Sequence, residues 1–387
     1  MKILKKIIVK LGILNIFSFP MYLFRVFKID NNKIFCVNFS GKGYGDNPKY
    51  IVEELLKSKH YKIIWAVRKK SNNFPLEICQ VKLYSLRYFY ELTTSKIWIN
   101  NSRFPLFVRK RKGQYYIQTW HGGIGLKKVE QLAIDKLSDY YKKAAPHDSK
   151  MIDVAISNSE YRTNIYINSF WYHGKVKEYG CPRNDIFFDT DKIKLKTQIA
   201  QQYGFSSNAK IIMYAPTFRV TAFNYFQIPI ETILDSLQKQ ENKEYVFLIR
   251  LHPRLKCNKI FKDSRIFDVT SYSDIDELLL ISDLLISDYS SIIFDFLFTN
   301  NPVYLYAPDY DSYVDERGLN FEYKKLPFSI SYSSKELVAK IINQDYKNYS
   351  SNLKKFLQKM KIIDDGNASK RVAKLIESIV GDNHEKI

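Results

Sequence analysis

The chain has 387 residues, 45% of them hydrophobic, which is enough for two cores because a single core stops growing at roughly 250 to 300 residues. Its 60 Lys and Arg against 40 Asp and Glu leave a formal net charge of +20, which favours anionic partners such as nucleic acid, acidic lipid or a polyphosphate substrate. The cysteines Cys36, Cys79, Cys181 and Cys257 have no paired spacing, so neither a disulfide framework nor a zinc cluster is indicated, and the chain suits a reducing compartment.

At the N-terminus, Lys2, Lys5, Lys6 and Lys10 precede an apolar stretch at residues 11–24. A membrane-spanning helix needs about 20 apolar residues. This stretch is shorter, contains Asn15, Ser18 and Pro20, and meets Arg25 without a small-residue cleavage site, so neither a span nor a cleaved signal is expected. Two readings stay open for residues 1–30: an interfacial amphipathic segment held on anionic lipid, and a first helix packed on the domain that follows.

Short apolar β-rich runs then alternate with helical patterns, the signature of βα units winding a mostly parallel sheet. The runs at 34–39, 63–67, 97–100, 115–119 and 152–157 predict strands, with a helix at 48–56. Residues 182–208 are polar, include a helical pattern at 192–203 and end in Gly204, Ser206, Ser207 and Asn208, which predicts a hinge. Beyond it, strands are predicted at 211–215, 245–251, 283–287 and 303–306, with helices near 230–238, 274–281 and 291–298. The organisation expected is an α/β chain of two doubly wound domains, 31–200 and 205–365, with a C-terminal helix and tail at 366–387. No fixed-period repeat or low-complexity tract is present, which excludes a solenoid or a disordered chain.

In doubly wound sheets ligands bind beyond the carboxyl ends of the strands. His121 stands there, in Gln118-Thr119-Trp120-His121-Gly122-Gly123. Two glycines allow close backbone approach and expose an imidazole whose ordinary pKa suits proton abstraction; a plain turn histidine is the alternative. His252, between Arg250 and Arg254 beside Pro253, is either a phosphate-holding cation cluster or a stiff basic turn. Ser287, Asp288, Ser290 and Ser291 open a predicted helix, where free N–H groups and hydroxyls can cradle a phosphate, although Ser and Asp are also ordinary caps. Thr217 and Arg219 follow another strand, and Arg183, Asn184 and Asp185 lie at the interdomain edge, each with a turn reading and a phosphate or nucleotide reading. Asp189, Thr190 and Asp191 read as a solvated helix start, and no metal site is predicted. The run from Asp364 through Asp365 to Ser369 reads as a turn and N-cap before a helix ending near Val380.

Taken in order, these segments resemble the CDP-glycerol glycerophosphotransferase family of teichoic acid synthesis, from about Asn31 onward. The similar blocks are the glycine loop carrying Lys42 and Asn47, the histidine loop at 118–128, and the segments 214–219, 250–253, 287–296 and 364–371. The resemblance implies a GT-B architecture of two Rossmann-like domains facing across a cleft, with the C-terminal helix crossing back to the first. It also implies His121 as base and His252 as a second catalytic residue at the donor pyrophosphate, with donor contacts from Thr217, Arg219, Arg250, Arg254, Asp365 and the 287–291 loop. Gly122, Gly123, Lys42, Asn47, Arg183, Asn184 and Asp185 fall on the acceptor side. Where the family often has Thr-Pro, this chain has Gly123-Ile124, which suggests a looser loop.

The activity implied is transfer of glycerol phosphate from CDP-glycerol to a lipid-linked anionic glycopolymer at the cytoplasmic face of the membrane, releasing CMP without a cofactor. CDP-ribitol phosphotransfer and nucleotide-sugar glycosyl transfer are the rival enzymes. A basic polyanion-binding module is the rival outside catalysis, and with no nucleic-acid motif present, nucleic acid is not the expected partner. The sequence leaves the oligomeric state open.

Overall fold

A computed structural model of the protein describes residues 13–58, 60–219, 225, 227–252 and 261–381. The chain forms two compact units: one of Met1–Gly123, Val129–Asp185 and Ile362–Ile387, the other of Ile124–Lys128 and Ile186–Lys361. The division therefore falls at Asp185 and Ile186, ahead of the 200–205 boundary expected. The helix Lys192–Tyr203 joins the second unit because it buries Ile199 and Ala200 there and Lys196 Nζ donates to the Ala209 carbonyl at 2.6 Å.

The first unit holds seven parallel strands: β1 Asp30–Val37, β2 Lys62–Val67, β3 Cys79–Lys82, β4 Ser95–Asn100, β5 Tyr115–Gln118, β6 Val154–Ser157 and β7 Lys175–Glu178, in the order β3-β2-β1-β4-β5-β6-β7. The second holds six: β8 Lys210–Tyr214, β9 Tyr245–Ile249, β10 Ile266–Asp268, β11 Leu284–Ser287, β12 Val303–Tyr306 and β13 Ser329–Ser331, in the order β10-β9-β8-β11-β12-β13. Every predicted strand is present within a few residues. The four that the sequence did not reveal, β3, β7, β10 and β13, are the edges of the two sheets. Central parallel strands are buried on both faces and read as continuous apolar runs, whereas short edges such as Lys-Val-Lys-Glu carry no such run.

Both faces of the first sheet are packed. Phe35, Trp98 and Tyr116 fill one side; Ile34, Trp65, Ile97 and Ile117 fill the other, where the C-terminal helix Ala368–Gly381 adds Val372, Ile376 and Val380. In the second unit Ile212, Phe247 and Ile286 lie in one core. The helix expected at 291–298 is one α-turn, Ile292–Asp295, continued as a 3-10 helix, Phe296–Thr299.

Of the basic N-terminal segment, the described part docks on the first unit. Met21 is buried, Ser18 Oγ donates to the Phe107 carbonyl at 2.6 Å, and Phe24 and Phe27 meet Tyr90 edge-on at 5.6 and 5.4 Å. Its other side leaves Ile16, Phe19, Leu23 and Val26 exposed, Val26 by 80%. Among the described residues no helix is long and apolar enough to cross a membrane.

Candidate active site

In the first sheet the strand order reverses between β1 and β4, the place where open α/β sheets take ligands. Asn101, just after β4, is fully buried there; its amide donates to Asn38 Oδ1 at 2.7 Å and its Oδ1 accepts the Phe39 N–H at 2.8 Å. The Asn101 backbone carbonyl accepts a hydrogen bond from His121 Nδ1 at 2.6 Å. A carbonyl can only accept, so the imidazole proton sits on Nδ1 and the Nε2 lone pair is left for chemistry.

Trp120 aims that ring. It adopts φ 53°, uncommon for a bulky residue, and is held by Gln118, whose Oε1 accepts its N–H at 2.8 Å, and by Asn47, whose amide donates to its carbonyl at 3.0 Å. Its indole stacks on His121 with centroids 4.4 Å apart, and the Phe39 ring lies 5.0 Å from the imidazole. Burial lowers the His121 pKa below its ordinary 6.5; the Asn101 bond and Asp46 oppose the shift, while Arg183 and Arg162 reinforce it. His121 is therefore neutral at pH 7, the form a base requires.

Gly122, at φ 142°, has a conformation that side chains resist. At Gly123 a Cβ would stand 2.3 Å from Asn158 Nδ2, which itself donates to Asp364 at 2.7 Å. Close packing, rather than the loose loop inferred from the sequence, explains this glycine.

Several acceptor-side candidates are engaged within the framework. Asn47 Oδ1 accepts the Arg183 N–H at 3.0 Å, and the buried Arg183 guanidinium pairs with Asp46 at 2.7 Å. Asn184 donates to Asp364 at 3.3 Å, while Asp185 accepts the N–H groups of Ala368 and Ser369 at 3.0 and 2.7 Å, holding the start of the C-terminal helix. Asp365, grouped with the donor residues on sequence, lies in the first unit and accepts from Arg371 at 2.8 Å. Lys42 is exposed on the loop after β1.

The second sheet reverses order between β8 and β11. There the Thr217 N–H donates to both Asp288 oxygens at 2.9 and 3.0 Å, and Arg219 pairs with Asp288 at 2.8 Å and Asp309 at 2.6 Å, against the rings of Tyr289 and Tyr313. Ser287 Oγ donates to the Ala215 carbonyl at 2.7 Å, and Arg250 Nη1 to the Tyr272 carbonyl at 2.6 Å. Arg219, Asp288, Ser287 and Arg250 thus brace this edge internally, a use of them that the sequence did not indicate.

Other polar groups remain at that edge. The Thr217 hydroxyl is buried without a hydrogen-bond partner, Ser290 and Ser291 are partly exposed, and His252 lies 5.4 Å from the Phe218 ring. Arg254 falls outside the described residues. Sequence reasoning missed Lys127. The segment Ile124–Lys128 is fastened to the second unit by Asn320, whose N–H donates to the Leu126 carbonyl at 2.8 Å and whose amide donates to those of Gly125 and Lys127 at 3.1 and 2.8 Å. Burial pushes the Lys127 amine down to about 8, with Asp288 opposing and Arg317 and Arg219 reinforcing, and Nζ lies 5.8 Å from the Tyr313 ring centroid. The Lys127-Lys128 pair closing the histidine motif was the available signal; Asn101 and Arg162 had no local one.

Two doubly wound parallel sheets in one chain, with a neutral histidine at the carboxyl edge of one and cationic and hydroxyl groups at that of the other, define a group-transfer enzyme of the GT-B type. The chain belongs to the CDP-Glycerol:Poly(glycerophosphate) glycerophosphotransferase family, matched over residues 18–378. It is 31% identical over 363 residues to a teichoic acid poly(glycerol phosphate) polymerase of Bacillus spizizenii, covering 89% of this chain and 91% of that protein. It is 32% identical over 372 residues to a teichoic acid glycerol-phosphate transferase of Staphylococcus aureus, covering 90% and 93%. The solved wall teichoic acid polymerase TagF superimposes with a TM-score of 0.82 at 29% identity, over 97% of this chain and 96% of that one. Some polymerases that it matches are longer; the chain spans 49% of one and 48% of another.

Proposed function

We propose that this protein transfers glycerol phosphate from CDP-glycerol to the terminal hydroxyl of a lipid-linked teichoic-acid or capsule-type polymer, with His121 as general base. The observation that carries this reading is the Nδ1 bond to the Asn101 carbonyl, which presents a neutral imidazole with Nε2 unprotonated. Nε2 takes the proton as the acceptor oxygen attacks the distal phosphorus; the bond from that phosphorus to the CMP oxygen breaks, and CMP leaves with its electron pair. A phosphate leaving group is a weak base, so charge stabilisation matters more than a strong acid. In the second unit Lys127, His252, the Thr217 hydroxyl and the Ser290 and Ser291 turn hold the donor and its leaving charge.

CDP-ribitol is the rival donor. Purified protein given CDP-glycerol, CDP-ribitol or a nucleotide sugar with a defined acceptor, the products read by mass spectrometry, tests the assignment. CMP and a glycerol-phosphate-extended product from CDP-glycerol are expected; a nucleoside diphosphate product overturns it. The exposed Ile16, Phe19, Leu23 and Val26 and the net charge of +20 support peripheral attachment to the anionic cytoplasmic face of the membrane, where such an acceptor is held.

A further inference from the structure

Arg162, on the helix Glu160–Ser169 after β6, is 2% exposed, and its Nε and Nη2 meet no hydrogen-bond partner. No carboxylate pairs with it among the described residues. The other deeply buried arginines of this unit are compensated: Arg103 by Glu130 and Asp148 at 2.9 and 3.1 Å, Arg183 by Asp46 at 2.7 Å. An unpaired buried guanidinium is costly. The rings of Tyr166, Phe170 and Trp120, at 4.4, 5.1 and 6.0 Å from Cζ, offset part of that cost but satisfy no N–H group.

The position of this charge is specific. Trp120 also stacks on His121, and Arg162 lines a cavity of about 10 Å³ together with Thr119, Gly122, Gly123 and Cys181, which includes the residues directly following the histidine. That volume admits one water or one oxygen atom of a larger group. A phosphate oxygen fits both the size and the charge, and guanidinium is the side chain best suited to it.

We propose that Arg162 forms an acceptor subsite, receiving a phosphate oxygen of the polyol-phosphate acceptor whose terminal hydroxyl His121 deprotonates. This rests on the base role given to His121 above. Arg162 thereby selects acceptors that already carry a phosphate over neutral polyols or glycans.

The test compares two acceptors with CDP-glycerol held constant: a short glycerol-phosphate oligomer and unphosphorylated glycerol. At about pH 7.5, Arg162→Met should lower kcat/KM for the oligomer about tenfold or more beyond any change it causes with glycerol, the scale of a lost charge-assisted hydrogen bond. Inorganic phosphate should compete with the oligomer in the parent protein and cease to do so in the variant. Thermal stability should hold or rise, because an apolar side chain replaces an uncompensated charge. Equal loss on both acceptors at that pH overturns the subsite and assigns Arg162 to His121 or to packing. If Arg162→Met folds poorly, Arg162→Lys gives the same comparison, since it keeps the charge but loses the planar fork. The control is separate: a His121→Asn protein that still transfers to glycerol removes the base reading itself.

Discussion

The Nδ1–H of His121 donates to the backbone carbonyl of Asn101 at 2.6 Å, and the side chain of the same asparagine ties down the loop after β1 through Asn38 and Phe39. One buried residue therefore sets both the tautomer of His121 and the wall beside it.

His121→Asn keeps the size of the ring's attachment but removes the base. Steady-state CMP release should fall on the order of 10² to 10⁴-fold, with CDP-glycerol affinity by calorimetry unchanged. Near-parental turnover would end the assignment.

The pH profile should show two limbs. Because burial lowers the His121 pKa, the base stays neutral through pH 6.5 and is lost only as pH falls through a lower value, so the acid limb of kcat lies below 6.5. Lys127 acts the other way: its charge, present below about 8, fades above it, so the KM for CDP-glycerol should climb from pH 8 to 9. Lys127→Arg should flatten that climb, since guanidinium stays protonated.

Asn101→Ala leaves the carbonyl that holds His121 but strips partners from Asn38 and the Phe39 N–H. A loss of about 1 to 3 kcal/mol in denaturant unfolding is expected, together with a lower kcat at unchanged donor KM. A fall in kcat without loss of stability would show that Asn101 acts on the site alone.

Asp288→Ala removes one partner of the buried Arg219 and the acceptor of the Thr217 and Tyr289 N–H groups. Breaking such a pair costs about 3 kcal/mol or more, so thermal denaturation should show a marked drop. Unaltered melting with weakened CDP-glycerol binding would instead make Asp288 a direct donor contact.

Replacing Phe19, Leu23 and Val26 together with serine should weaken sedimentation with anionic liposomes while sparing turnover of a soluble acceptor, because these side chains are exposed and Met21 still anchors the segment. Undiminished liposome binding would place the membrane contact elsewhere.

The two doubly wound halves, the central strands and the histidine loop are legible in the order of the residues alone. Strands such as β4 and β9 are buried on both sides, so their whole signal lies in a run of three to five consecutive apolar residues. His121 was visible because a strand, a histidine and two glycines are adjacent in the chain. Tertiary structure alone decided what the polar residues do. Arg219 read as a donor contact until Asp288 and Asp309, 69 and 90 residues away in sequence, were seen to occupy it, whereas Arg162 looked like an ordinary helix residue until it proved buried without an acid. Desolvation and hydrogen bonding set the charge and availability of a side chain, and both depend on neighbours that the fold, not the local sequence, brings together.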